Sequence, residues 1–85
     1  MPNQIEIYTM TQCPYCVRAK ELLKKKGQEY REINVETENK WEESVSRSGG
    51  RQTVPQIFIN GTHVGGFDDL YALDKAGKLD PMLGL

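Results

Sequence analysis

Ile5-Glu6-Ile7-Tyr8-Thr9-Met10-Thr11-Gln12-Cys13-Pro14-Tyr15-Cys16 passes from one kind of backbone to another within a few residues. Ile5 to Tyr8 alternates apolar and polar side chains, the period of a strand with one buried face. Thr9 to Gln12 is polar and reads as a loop. Pro14 suits the first position of a helix, where a missing N–H costs nothing. Tyr15, Ala19, Leu22 and Leu23 then fall at helical spacing. Lys24, Lys25 and Lys26 complement the negative end of that helix, and Gly27 stops it. Tyr30 to Val35 predicts a second strand, with Ile33 and Val35 on one face. Strand, helix and strand in this order imply a right-handed crossover and two parallel strands.

The rest of the chain is read outward from that unit. Glu38 to Ser48 is a weaker helical stretch. Trp41 and Val45 are placed to share a buried face, with Trp41 as a core anchor and Glu42, Glu43 and Arg47 facing water. Gly49-Gly50 ends it. Gln56 to Ile59 is a β-rich run, and Asn60-Gly61 after it is a strong two-residue hairpin signal. Thr62-His63-Val64 is the returning strand, with His63 expected as a plain surface residue. Asp68-Asp69 opens a last helix holding Leu70, Tyr71, Leu73 and Ala76; acidic residues suit that end. Gly77 stops it, and Asp80-Pro81 begins a short terminal turn. The expected architecture is α/β: one domain over residues 1-85, with a four-stranded mixed sheet in the order 2-1-3-4 and helices on both faces.

Composition narrows the function. With 85 residues, of which 38% are hydrophobic, one small core is the limit. A net charge of −1 gives no reason to expect a nucleic-acid partner. No apolar run approaches the ~20 residues of a membrane span. Met1-Pro2-Asn3-Gln4 carries neither a basic cluster nor an apolar stretch, so no secretory signal is expected. The chain has two cysteines, and a bridge between Cys13 and Cys16 would close so small a loop that it restrains the unfolded chain little. A reactive pair in a reducing, cytoplasmic setting fits better than a stabilising staple.

Two residues between Cys13 and Cys16 place both sulfurs on the first turn of the helix. The partial positive charge and free N–H groups there favour a thiolate, and a cysteine so placed can drop from about 8.5 to about 3.5–7.5 in pKa. Cys13, at the helix entry, is the nucleophile; Cys16, one turn in, is more shielded. Half of a zinc site is the rival reading, but zinc needs more protein ligands than this pair and the lone His63 supply. Two further elements accompany the pair. Thr53-Val54-Pro55 is either an ordinary strand entry or a ligand-facing turn. Gly65-Gly66 lets a ligand approach the backbone, and the helix start at Asp68-Asp69 can receive a carboxylate.

Cys13-Pro14-Tyr15-Cys16, Thr53-Val54-Pro55 and Gly65-Gly66-Phe67-Asp68-Asp69, in order and in register over essentially the whole chain, resemble a dithiol glutaredoxin of the thioredoxin superfamily. The resemblance implies a thioredoxin-like fold and a thiol–disulfide oxidoreductase. Such an enzyme reduces protein disulfides and glutathione mixed disulfides, with glutathione as reducing co-substrate and no tightly bound cofactor or metal. It implies that Cys13 attacks and carries the glutathione adduct, and that Cys16 resolves. Pro55 is then a cis proline facing the cysteines, and the Val54 backbone pairs with the cysteinyl part of glutathione. N–H groups around Gly66, Phe67 and Asp68, with the Asp68 and Asp69 side chains, receive the γ-glutamyl end. Tyr15 either packs against the ligand or tucks into the core, and Arg51, with Gln52 and Thr53 beside it, either meets the glycyl carboxylate or is a solvated loop arginine. The implied partners are glutathione and disulfide-containing proteins such as reductases, met by a monomer.

Two rivals stay in view. Some glutaredoxins hold a [2Fe–2S] cluster between protomers, though Pro14 and Tyr15 differ from the pattern of the strongest cluster carriers. A donor serving thioredoxin reductase should lack the Gly65-Gly66-Phe67-Asp68 receptor. The chain also departs from the family at Met10, where many glutaredoxins have lysine. The helix N-terminus must then contribute most of the thiolate stabilisation. Met10→Lys is therefore expected to lower the Cys13 pKa, measured by thiol titration; an unmoved value would remove the argument.

Overall fold

The computed structural model describes residues 3–85; Met1 and Pro2, part of the stretch read for a secretory signal, lie outside them. The elements are β1 (Ile5–Thr9), α1 (Pro14–Lys25), β2 (Arg31–Asn34), α2 (Trp41–Arg47), β3 (Gln56–Ile59), β4 (Thr62–Gly65), α3 (Phe67–Lys75) and α4 (Leu79–Met82). The sheet order is β2-β1-β3-β4, as expected from the sequence. β1 runs parallel to β2 and antiparallel to β3, and β3 pairs antiparallel with β4. At the hairpin, Asn60 and Gly61 have φ of 51° and 83°, the geometry an Asn-Gly turn supplies most readily.

Strand side chains alternate between faces, so each strand feeds two cores. Ile5, Ile7, Ile57 and Ile59 pack with Ala19 and Leu23 of α1, Leu70 of α3, and Leu79 and Leu83 at the C-terminus. Tyr8, Ile33, Val35 and Phe58 form the opposite cluster, with Met10 and Val54 against it. In α1 the buried face is Cys16, Ala19 and Leu23, whereas Tyr15 is 54% exposed. That turn of the helix buries the second cysteine rather than the aromatic ring between the pair.

The second core corrects the reading of α2. Trp41 is 37% exposed and is not an anchor; Ser44 and Ser48 are the buried positions. The space above the sheet is filled by an ion-and-ring stack instead. Tyr8 Oη donates to Glu43 Oε2 at 2.6 Å, and Arg47 Nη1 donates to Tyr8 Oη at 2.9 Å. The Arg47 guanidinium lies 4.1 Å from the Phe58 ring centroid and pairs with Glu6 at 3.1 Å. Glu43 and Arg47 are exposed, as expected, yet their polar ends reach back to the sheet. A guanidinium over an aromatic face keeps its hydrogen bonds while covering apolar surface. Burial, then the Glu43 contact, raises the Tyr8 hydroxyl pKa above its ordinary value.

Candidate active site

Two loops and two helix starts meet at one end of the sheet. β1 delivers the chain through Thr9–Gln12 to α1, and Thr11 N–H donates to Glu36 Oε1 at 2.9 Å, tying this loop to the segment after β2. Gln12 turns at φ 58° immediately before Cys13. Cys13 is then the N-cap of α1, with extended backbone and Pro14 just inside the helix. Cys13 and Cys16 are joined as a disulfide, their Cα atoms 5.2 Å apart. The Cys16 N–H donates to Cys13 Sγ at 3.3 Å, as a helix N-terminus does to a capping acceptor. A helix N–H aimed at a sulfur favours the thiolate over the thiol. Cys13 is partly exposed, while Cys16 is 1% exposed.

Across from the pair, the Val54–Pro55 peptide bond is cis, and Val54 O lies 3.9 Å from Cys13 Sγ. A cleft of about 350 Å³ opens here, lined by Tyr15, Arg51, Thr53, Val54, Pro55, Gly66, Phe67, Asp68 and Asp69. Of the residues expected from the sequence to meet a ligand, Gln52 is not part of this lining. Tyr15 and Phe67 stack across it with ring centroids 6.3 Å apart.

At the far end α3 begins. Its N-cap is Gly66, whose N–H donates to Asp69 Oδ2 at 2.9 Å, and Arg51 Nη1 donates to the same oxygen at 2.9 Å. Arg51 thus pairs with a carboxylate of the protein while also lining the cleft. Asp69 folds back to cap α3, and the long Arg51 side chain reaches it from the loop.

A model of the glutaredoxin family matches residues 5–64, with the cysteine pair and the Thr53-Val54-Pro55 turn inside that span. The chain belongs to the glutaredoxin family. Among curated relatives, glutaredoxin 3 of Escherichia coli K12 is 52% identical over 79 residues, covering 93% of this chain and 95% of that one. The solution structure of a glutaredoxin from Brucella melitensis is 53% identical and superposes with a TM-score of 0.81, covering 94% of this chain and 87% of the other. A buckwheat glutaredoxin solved as a complex with glutathione is 34% identical with a TM-score of 0.87, over 96% of this chain and 77% of that one. This glutaredoxin is accordingly a thiol–disulfide oxidoreductase with a thioredoxin-like fold. Among the described residues no cluster of three or more His, Cys, Asp or Glu could hold a metal ion, and no helix is long and apolar enough to cross a membrane.

Two polar residues behind the cleft are missed by the sequence reading. Gln56 opens an apolar strand run and is 0% exposed. His63 is half-buried rather than a plain surface residue, its ring 5.0 Å from that of Phe58 and its Nε2 2.8 Å from Gln56 Oε1. Burial first, then the Arg51 charge, hold its pKa below the ordinary imidazole range against the pull of Asp69. The available signal was Gln56 itself: a buried amide beside a proline must have partners at both ends.

The Asp69 cap makes this glutaredoxin's α3 entry pH-sensitive. The Arg51 hydrogen bond, then the Gly66 N–H, hold the Asp69 carboxyl below its ordinary value. A carboxyl with a lowered folded value contributes stability above its unfolded pKa, near about 4, and loses it as the pH falls through the folded value. The Gly66 amide resonance of this glutaredoxin should therefore hold its position down to about pH 4 and shift only below it. In Asp69→Asn that shift should vanish. A midpoint above the ordinary aspartate range would contradict the assigned pair.

Proposed function

We propose that this glutaredoxin reduces glutathione mixed disulfides and protein disulfides with glutathione as the electron donor. The observation that carries the reading is the cleft. It sets the aromatic face of Tyr15, the Val54 backbone and the α3 N-terminus beside the partly exposed sulfur of Cys13. Free N–H groups at a helix start suit a carboxylate, and an exposed backbone edge suits a peptide-like ligand added as a strand. The buckwheat relative solved with glutathione lends support.

On a mixed disulfide, the Cys13 thiolate attacks the glutathionyl sulfur. The substrate thiolate leaves and takes a proton, and Cys13 holds the glutathionyl group. A second glutathione thiolate attacks that group, releasing oxidised glutathione and the Cys13 thiolate. On a protein disulfide, Cys13 attacks one sulfur and Cys16 then attacks Cys13 Sγ. The substrate dithiol is released and the Cys13–Cys16 disulfide remains, as in this structure. Two glutathione molecules restore the thiols in two exchanges. Exchange is fastest when the attacking thiol has a pKa near ambient pH, so moderate stabilisation at a helix N-cap is sufficient. The same reading has the chain acting as a monomer in a reducing, cytoplasmic setting on disulfide-containing proteins such as reductases.

The test compares two electron sources. Reduction of a glutathionylated peptide should run with glutathione and glutathione reductase, and should be at least about tenfold slower with thioredoxin reductase alone. The reverse preference would overturn the proposal.

A further inference from the structure

The loop that forms the cysteine-facing wall of the cleft lies outside the sheet, between α2 and β3. Its backbone must be held by side chains, and the Thr53 carbonyl is held by Gln56. Gln56 Nε2 donates to Thr53 O at 2.9 Å and lies 3.2 Å from Thr53 Oγ1. A carbonyl oxygen only accepts, so the Gln56 nitrogen must face it. The Gln56 oxygen therefore faces His63, and since that oxygen also only accepts, His63 Nε2 must carry the proton. The reversed amide would set two acceptors against each other at Thr53 O. Gln56 has 0% exposure, so no solvent can satisfy an end left unpaired. One proton position on His63 thus fixes one orientation of Gln56, and that orientation fixes Thr53.

We propose that His63 and Gln56 are positioning residues for the glutathione cleft: His63 donates from Nε2 to orient the Gln56 amide, and Gln56 holds Thr53 so that the Val54 backbone is presented beside Cys13. The inference rests on the reading of the cleft as a glutathione site. Neither side chain lines the cleft; both act through Thr53 and Val54, which do. The effect is on substrate selection. A glutathionyl group on the attacked sulfur would use the peptide edge at Val54, whereas a mercaptoethanol group there has no peptide groups to pair with it.

Kinetics on one peptide in two disulfides tests it, with the peptide linked either to glutathione or to mercaptoethanol. In Gln56→Met and His63→Leu, kcat/KM on the glutathionylated peptide should fall about tenfold, while that on the mercaptoethanol disulfide changes by less than about twofold. His63→Gln puts an amide donor near the place of Nε2 and should recover to within about threefold of the wild type. Nitrogen NMR of the unsubstituted protein, which needs no variant to fold, should show the Nε2-protonated tautomer. The Nδ1-protonated tautomer, an equal loss on both disulfides, or no loss on either overturns the positioning role. A wild-type protein that does not prefer the glutathionylated peptide overturns the glutathione reading itself, and with it this one, before any substitution is made.

Discussion

Cys13→Ser is expected to lower reduction of a glutathionylated peptide by at least about a thousandfold, because a serine hydroxyl neither ionises near neutral pH nor exchanges with a disulfide. Cys16→Ser is expected to keep most of that activity and to lose turnover on protein disulfides. The asymmetry follows from position. Cys13 is the N-cap, partly exposed beside the cleft, with the Cys16 N–H on its sulfur at 3.3 Å. Cys16 lies one turn in at 1% exposure, so it is placed to attack Cys13 Sγ in an adduct and not a disulfide in solution. Mass spectrometry adds a second readout. Cys16→Ser exposed to oxidised glutathione should carry one glutathionyl group on Cys13, whereas Cys13→Ser should remain unmodified. Modification at Cys16 in the second variant would reverse the assigned roles.

Much of this site was legible because its signals are local. A Cys-Pro-Tyr-Cys run after an alternating strand specifies a helix start by itself. Asn60-Gly61 specifies its own turn, and the strand order followed from the first crossover and that hairpin. The failures are all at residues whose environment is set by distant chain. Trp41 looked like an anchor because it is large and apolar. The surface it would have filled is occupied by Arg47, drawn in by Tyr8, Glu6 and Phe58 from the sheet. Helical periodicity sorts residues by polarity and cannot register a guanidinium stacked on two rings. His63 was misread for the same reason: only the fold brings it against Gln56 and Phe58. The Arg51–Asp69 pair was out of reach for the same reason, its two partners being far apart along the chain. Polar contacts between residues far apart in the sequence carry no short-range pattern.

Gly65→Ala should cost this protein more stability than the neighbouring change Gly66→Ala, although the two glycines are adjacent and read alike in sequence. Gly65 sits at φ +120°, where an L side chain is strained by about 1–3 kcal/mol. A Cβ there would also lie 2.6 Å from Arg51 Nη1 and would overlap the Asp69 carboxylate. Arg51 can swing aside. Asp69 cannot do so without releasing the Gly66 N–H and the start of α3, the kind of cap whose loss costs about 0.5–2 kcal/mol. Together these come to about 1.5–5 kcal/mol, or a fall in Tm of about 6–40 °C for a chain of this size. Gly66 has φ −86°, and a Cβ on it would stand 3.5 Å from Arg51 Nη2 and Pro55 O, an ordinary contact. Gly66→Ala should therefore leave Tm nearly unmoved while setting a methyl group in the cleft wall, so that its loss appears in kcat/KM for the glutathionylated peptide. A double variant separates the two costs at Gly65. Adding Asp69→Ala removes the overlapping carboxylate but not the strained φ, so the pair should lose less than the sum of the single losses. Strict additivity would mean that the Asp69 carboxylate does not press on position 65 and that the backbone alone requires glycine there.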